Sequence, residues 1–142
     1  MKQFEWVDHT ADVGFRAYGH DIEEAFENAA LALTEIITDA DKVRAEKDIS
    51  IEIEAEDLEA LLFDWLGYFL YLFDAKNLIM SKFEISEISS KNDEFKLEAK
   101  AWGEEFDRER HGYGTEVKAI TYHMMEINCS PEQCSVQVIV DI

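Results

Sequence analysis

Two segments of the chain repeat apolar residues at the spacing of an α-helix. Asp21 is a suitable N-cap for the first segment, and Glu24 completes the pattern of a capping box. The second segment follows Asp57, and Tyr68 and Tyr71 widen its apolar stripe. That width indicates a central helix, the interpretation we favour, or alternatively a helix that also meets a partner. The two stripes comprise Ile22, Ala25, Phe26, Ala29, Ala30, Leu33, Ile36 and Ile37, and then Leu58, Leu61, Leu62, Trp65, Leu66, Phe69, Leu70 and Phe73.

The remaining apolar positions alternate with a period of two, which is typical of half-buried strands. The alternation predicts strands at 4–7, 13–15, 49–55, 83–86, 95–101, 117–125 and 136–140. The resulting order is β-β-α-β-α-β-β-β-β. It predicts an α+β domain of two layers, in which two helices pack on one face of a mostly antiparallel sheet.

The composition predicts a single domain that covers residues 1–142. The chain is 47% hydrophobic and has no linker-like stretch or repeat, so it can bury a core without disulfides. We find no signal-peptide pattern, and the longest apolar run, 58–73, is too short and too acidic to span a bilayer. We therefore expect a cytoplasmic protein in which Cys129 and Cys134 are reduced thiols. A hairpin disulfide is the alternative, whereas zinc would need two more soft ligands.

The formal net charge of −19 is the strongest global property of the chain. A surface this acidic repels phosphate backbones, which argues against strong direct binding of nucleic acid. It attracts cations and basic protein partners, and it speeds encounter with positively charged surfaces. The alternative interpretation of this charge is simple solubility.

Residues 7–14, V-D-H-T-A-D-V-G, put Asp8, His9 and Asp12 into a turn between two apolar runs. One explanation is structural: the aspartates hydrogen-bond to their own backbone in an Asx turn, and the histidine has its hydrogen bonds satisfied. The other explanation is a cation site, since carboxylates suit Mg²⁺, Ca²⁺ or Mn²⁺. The last strand ends in V-I-V-D-I, where Asp141 and the α-carboxylate of Ile142 concentrate negative charge. If that end lies beside Asp12, repulsion among the acids calls for a cation.

Two further places are candidates for chemistry. Asp39, just after the first helix, is either another ligand or a loop residue. The segment 108–118 gathers Arg108, Arg110, His111 and Lys118 around two glycines. It is either a mobile hairpin loop with solvated charges or a basic patch that meets phosphate or acidic groups. The chain has no signature of a nucleophilic enzyme, a P-loop, a Rossmann fingerprint or an H-E-x-x-H zinc motif.

Three segments together resemble the archease family. They are the D-H-T-A-D-V-G turn running into F-R-A-Y-G, the segment G-T-E-V-K-A-I-T-Y-H, and the V-I-V-D-I terminus. The resemblance extends over essentially the whole chain, including the segments E-A-F-E-N-A-A and L-L-F-D-W-L.

The resemblance implies a non-enzymatic activator of the tRNA-splicing RNA ligase RtcB, which joins RNA ends using GTP and divalent metal. Such an activator promotes guanylylation of the ligase and allows multiple turnover. The resemblance places metal ligands at Asp12 and Asp141, with Asp39 and the Ile142 carboxylate as further ligands for a divalent ion such as calcium. It also indicates functional roles for His9 and Lys118.

Two other functions remain open. The first is a stand-alone metal-dependent hydrolase that uses the acids as ligands and His9 as base, although the chain lacks a richer His/Asp cluster. The second is a general chaperone for enzymes that modify nucleic acids, suggested by the wide apolar stripe and the acidic surface.

Overall fold

The computed structural model describes residues 1–8 and 12–142 and confirms the α+β class. A short 3-10 turn, Ala40–Lys42, follows the first helix. The elements are β1 (Phe4–Asp8), β2 (Asp12–Gly19), α1 (Ile22–Ile37), β3 (Lys47–Ala55), α2 (Leu58–Lys76), β4 (Leu78–Lys91), β5 (Glu94–Glu105), α3 (Arg108–His111), β6 (Ala119–Ile120), β7 (Glu126–Cys129) and β8 (Cys134–Asp141).

The strands form two antiparallel sheets where the sequence predicted one. The five-stranded sheet has the order β1-β2-β8-β6, and β7 also pairs with β8. The three-stranded sheet has the order β3-β5-β4. Both helices connect the two sheets, because α1 contacts β2, β8 and β4, whereas α2 contacts β3, β4, β5, β6 and β7. One cluster of buried apolar side chains therefore draws on both helices and both sheets.

The predicted start of α1 is confirmed, with a variation on the capping box. The Asp21 carboxylate accepts a hydrogen bond from the Glu24 amide at 2.8 Å. The Glu24 carboxylate reaches one residue further back than in the usual box and accepts from the His20 amide at 2.7 Å. Two backbone donors at this helix end are thereby satisfied by side chains.

Helix α2 is the central helix that its wide apolar stripe predicted. Asp57 caps it by accepting from the Ala60 amide at 2.7 Å. Trp65 is fully buried, and its indole Nε1 donates to the Phe26 carbonyl of α1 at 2.9 Å. This bond satisfies the one polar atom of a large buried side chain. None of the helices within residues 1–8 and 12–142 is long and apolar enough to cross a membrane.

The predicted strand at 117–125 was wrong, because most of this segment leaves the sheet. Ile120 pairs with Val140, and the next pair is Glu126 with Gln137. Residues 121–125 therefore stand opposite 138–139 alone and must bulge outward. The segment is apolar on both faces, and such a pattern does not distinguish a doubly buried strand from an exposed turn.

The two cysteines form a disulfide, so the expectation of reduced thiols was wrong. Cys129 ends β7 and Cys134 begins β8, and the two residues are register partners with Cα atoms 4.0 Å apart. The connecting turn is closed by a hydrogen bond from the Ser130 amide to the Gln133 carbonyl at 2.8 Å. The alternative that the spacing left open, a disulfide across a hairpin, is the one present.

Candidate functional site

The two principal candidate ligands, Asp12 and Asp141, lie directly opposite each other. Strands β2 and β8 are antiparallel, and their register pairs Asp12 with Asp141. Directly opposed residues project their side chains to the same face, with Cβ atoms about 4.5–5.5 Å apart. The Asp141 side chain is exposed, and that of Asp12 is partly buried. The fold thus places two carboxylates together from opposite ends of the chain.

The neighbouring strand brings Lys118 to the same place. The Lys118 amide donates to the Asp141 carbonyl at 2.8 Å, and Ala119 is the register partner of Asp141 in β6. The Lys118 side chain is exposed. Ile142 is partly buried against the core, which holds the end of the chain beside the Asp12–Asp141 pair. Backbone pairing therefore brings together three of the positions that the resemblance indicates.

Asp39 lies after the C-terminal end of α1, where it caps the 3-10 turn by accepting from the Asp41 amide at 3.1 Å. Because α1 follows β2 closely and packs along it, this helix end is directed toward the Asp12 end of the sheet. Over residues 1–8 and 12–142, however, no three His, Cys, Asp or Glu side chains are grouped so that they could hold a metal ion. His9 lies outside the described residues.

The segment 112–118 closes the C-terminal end of α1. The amides of Gly114 and Thr115 donate to the carbonyls of Ile37 and Ile36 at 2.7 and 3.0 Å. These bonds satisfy two carbonyls that the helix itself leaves without donors. A Cβ atom at Gly114 would lie 2.7 Å from the Ile36 carbonyl oxygen, so this approach requires glycine. In place of the hairpin loop that was one of the two interpretations of the sequence, the structure has an irregular segment that is hydrogen-bonded to α1.

Arg110 and His111 lie before this segment and serve an internal network, which fits neither of the two interpretations of the sequence, a basic patch or solvated loop charges. Glu104 is 3% exposed and accepts from the Arg44 amide at 2.7 Å and from Arg110 Nη1 at 3.0 Å. His111 is 1% exposed, and its Nε2 lies 2.8 Å from the same carboxylate. Its Nδ1 accepts from the Asp107 amide at 2.9 Å, which leaves the Nε2 proton to donate to Glu104.

Thr38 joins this network to the segment 112–118. Its hydroxyl lies 2.9 Å from the His111 carbonyl oxygen and 2.6 Å from that of Gly112, and it donates to this pair. Hydrogen bonds therefore connect Glu104 through His111 to the end of α1, and the backbone of 115–118 continues from there to the Lys118 amide that binds Asp141. Glu104 was not predicted as a functional residue, because it lies on a strand whose alternation gives no sign of a buried acid.

Glu104 also makes the free energy of unfolding of the protein depend on pH. The hydrogen bonds from Arg110, and then those from the Arg44 amide and His111, outweigh burial and lower its pKa from about 4.5 to about 2. A carboxyl with a lowered pKa stabilises the folded state above its unfolded pKa, and this stabilisation is lost as the carboxylate is protonated. We expect the contribution of Glu104 to be complete above pH 5 and to decline as the pH falls from about 4.5 toward 2.

Urea unfolding of the wild type and of Glu104→Gln across this pH range measures that contribution. The difference between their free energies of unfolding should shrink toward low pH, because glutamine does not titrate. The comparison cancels the other acids of the chain, which titrate in both proteins. A difference that stayed constant between pH 5 and pH 2 would contradict the lowered pKa.

A model of the Archease protein family (MTH1598/TM1083) matches residues 4–142. The chain belongs to the archease family. Protein archease of Methanosarcina mazei is 42% identical over 141 residues, covering 99% of this chain and 97% of that protein. The solution structure of Methanobacterium thermoautotrophicum protein 1598 has a TM-score of 0.86 and 45% identity, with full coverage of both chains.

A crystal structure from Thermotoga maritima, described as an archease and possible chaperone, has a TM-score of 0.58. It is 22% identical and covers 96% of this chain and 94% of the other, so this likeness concerns the fold alone. The comparisons confirm the archease resemblance of the three sequence segments. They also agree with the α+β architecture in which the Asp12–Asp141 pair lies.

Proposed function

We propose that this archease is a non-enzymatic activator of an RtcB-type tRNA-splicing RNA ligase and acts on it in the cytoplasm. In this role it promotes guanylylation of the ligase and allows multiple turnover. Membership of the archease family supports the proposal. The observation that carries it is the register pairing of Asp12 with Asp141, which joins two of the family-like segments into one acidic site.

A divalent cation, Ca²⁺, Mg²⁺ or Mn²⁺, fits the donors at this site. Asp12 and Asp141 offer carboxylate oxygens from adjacent strands, and hard cations prefer such ligands. The Ile142 carboxylate and Asp39 are the further candidate ligands. Backbone carbonyls and water commonly complete such sites, so three clustered acidic side chains are not required.

The residues of the site have separable roles in this proposal. Asp12 and Asp141 hold the cation. The bound cation would offset negative charge on phosphate groups. The Asp141 carboxylate is exposed, and within residues 1–8 and 12–142 none of the lysine or arginine ion pairs includes it. Lys118 presents an exposed ammonium group next to them, where it can contact an anionic group of the partner complex.

The net charge of −19 gives the activator a long-range attraction to a partner that binds RNA and GTP. Such a ligase must present basic surface near its active site, and opposite charges steer the two proteins together. The same acidity disfavours strong direct binding of RNA by this chain. The association rate with the ligase should accordingly fall as salt is added.

A single-turnover guanylylation assay of the ligase, with and without this protein and across divalent ions, tests the proposal. We expect faster guanylylation and more than one turnover per ligase when the protein is present. Absence of any effect with Ca²⁺, Mg²⁺ and Mn²⁺ would overturn the proposal. Hydrolysis of phosphoesters by the isolated protein would instead favour a hydrolase, and protection of unrelated clients from aggregation would favour a general chaperone.

A further inference from the structure

The segment Thr121–Met125 presents two large apolar side chains to solvent. Tyr122 is 54% exposed and Met124 is 50% exposed, although both lie between strands that pair with the buried strand β8. Tyrosine and methionine are enriched at protein interfaces, where tyrosine supplies rigid contact area and methionine adapts its shape to irregular surfaces. We refer to Tyr122, Met124 and the neighbouring Phe63 of α2 as the apolar surface.

The turn that carries this surface is held in a strained shape. Met124 has a positive φ of 54°, which is uncommon for a residue with a side chain. The buried Gln137 donates to the Met124 carbonyl at 2.9 Å, and the Thr121 hydroxyl donates to the Ile139 carbonyl at 2.7 Å. The fold thus uses the buried side-chain amide of Gln137 to hold a strained, exposed turn. This indicates that the fold maintains the shape of the turn.

Helix α2 supports the surface and surrounds it with negative charge. The Tyr122 ring stacks on Phe63 with centroids 4.4 Å apart and planes within 4° of parallel. Asp64 follows Phe63 directly on α2, and Asp57 is the N-cap of the same helix. In agreement with this placement, partial burial and then the charges of Asp64, Asp57 and Glu56 raise the pKa of the Tyr122 phenol. The chain has no lysine or arginine between Lys47 and Lys76. The surface is thus apolar at its centre and acidic at its rim.

We propose that the apolar surface is a docking site for a partner protein that offers an apolar pocket with basic residues around it. Apolar anchors at the centre and opposite charges at the rim are the arrangement of specific protein interfaces. Nucleic acid is disfavoured as the occupant because its phosphates would face Asp57 and Asp64. A second copy of this chain would bring the same acids against one another.

The position of this surface suggests how docking and activation are connected. Ile120 and Thr121 continue the strand that begins beside Asp141, so the apolar surface and the acidic site are joined by one short segment. A partner held at Tyr122 has the Asp12–Asp141 pair within the same interface region. Use of the ligase as the binding probe rests on the proposed function, whereas the docking surface itself rests on the geometry of residues 121–125.

The double variant Tyr122→Ala, Met124→Gly tests the docking site with the ligase as probe. Glycine accommodates the positive φ at position 124, so the turn keeps its shape. We expect the concentration of protein that gives half-maximal stimulation of guanylylation to rise about 10- to 30-fold, as for loss of interface anchors. Stimulation at saturation should persist because Asp12 and Asp141 are unchanged. Isothermal titration calorimetry should show the same loss of affinity.

Tyr71→Ala is the matched control, since Tyr71 is a 50% exposed tyrosine on α2 that is not part of the apolar surface. Asp64→Lys should weaken binding and reduce its salt dependence. Glu87→Lys makes the same charge change at an exposed position of β4 and should alter the salt dependence of binding less. If the wild type stimulates the ligase and the double variant does so at the same concentration, the docking proposal is overturned. If the wild type does not stimulate at all, the proposed function fails instead.

Analytical ultracentrifugation and RNA titration test whether a second copy of the chain or nucleic acid occupies the apolar surface instead. We expect the wild type to sediment as a monomer and not to bind single-stranded RNA at physiological salt. A dimer that the Tyr122→Ala, Met124→Gly variant abolishes would assign the surface to a second copy and overturn the proposal. RNA binding lost in that variant, but kept in Tyr71→Ala, would equally overturn it.

Discussion

The double variant Asp12→Asn, Asp141→Asn is expected to fold normally and to lose stimulation of ligase guanylylation. Asparagine keeps the shape of each side chain but removes the charge that a divalent cation requires from its ligands. The substitutions relieve the repulsion between two like charges directly opposite each other in a sheet, which offsets the loss of contacts that the carboxylates make in the wild type. We therefore expect the free energy of unfolding to stay within about 1 kcal/mol of the wild-type value.

Thermal unfolding with added Ca²⁺, Mg²⁺ or Mn²⁺ provides a second readout that needs no ligase. A cation that binds the folded state alone stabilises it by about 2.7 kcal/mol at 100 times its dissociation constant. The wild type should show such stabilisation with at least one of these ions, and the double variant should not. Full stimulation by the double variant would reject the metal site, and so would equal stabilisation of both proteins by every ion.

The chain offers a matched control in the other sheet. Glu52 and Glu98 are exposed acids that likewise lie opposite each other in antiparallel strands. Lys96 bridges them, with its Nζ 2.8 Å from Glu52 and 3.5 Å from Glu98. The fold itself supplies a cation for that pair, so Glu52→Gln, Glu98→Gln should leave ligase stimulation and metal stabilisation unchanged. A loss of stimulation in this control would mean that net charge alone governs activation.

The helices of this fold were predictable because their signals are local. Asp21 and Asp57 each lie beside the amides that they cap, and the apolar stripes recur within single turns. The long hairpin of β4 and β5 was predicted too short for a reason that is also physical. Register shifts between Met80 and Lys82 and between Ile85 and Glu87 interrupt the period-two alternation that marks a strand.

The strand 117–125 was mispredicted because its conformation depends on distant residues. Nothing within residues 121–125 signals that Gln137 donates to the Met124 carbonyl and holds the turn outside the sheet. The division of the strands between two sheets is likewise a matter of long-range pairing. Local alternation specifies that a segment is extended, but it does not specify its neighbours.

The acidic site was predictable in part. The turn that contains Asp12 and the last strand, which ends at Asp141, each carry more negative charge than a turn or a terminus requires. A shared cation site requires Asp12 and Asp141 to lie close together, and the register of β2 and β8 places them opposite each other. Glu104 was not predicted, because its partners Arg110 and His111 were open to interpretation only as a basic patch or as solvated loop charges. A single charge on a strand is usually solvated, so the pattern alone gives no reason to bury it.

Removal of the Glu104 charge should have the largest effect on stability. In Glu104→Gln, the side-chain amide would face the donors of Arg110 and His111, so donors would be opposed to donors in a buried place. Removal of one partner from a buried ion pair is strongly destabilising, and Arg110 is partly exposed here. We therefore expect the free energy of unfolding in urea at pH 7 to fall by about 2–4 kcal/mol.

The adjacent residue supplies the control for this variant. Glu105 is exposed, and its only ion pair within the described residues is with Lys47 at 3.5 Å. Glu105→Gln makes the same chemical change one residue away and should cost less than about 0.5 kcal/mol. Equal effects of the two variants would show that Glu104 contributes no more than a surface charge.

The Glu104 network should also determine how firmly the candidate site is held. Because Thr38 and the Gly114 and Thr115 amides link this network to α1, its loss should loosen the segment that leads to Lys118. Amide hydrogen exchange in Glu104→Gln should therefore accelerate at Gly114, Thr115 and Lys118 beyond what the global loss of stability explains. The Glu24 amide, bonded to Asp21 at the other end of α1, is the internal reference. Uniform acceleration at all four amides would mean that Glu104 stabilises the fold without positioning the site.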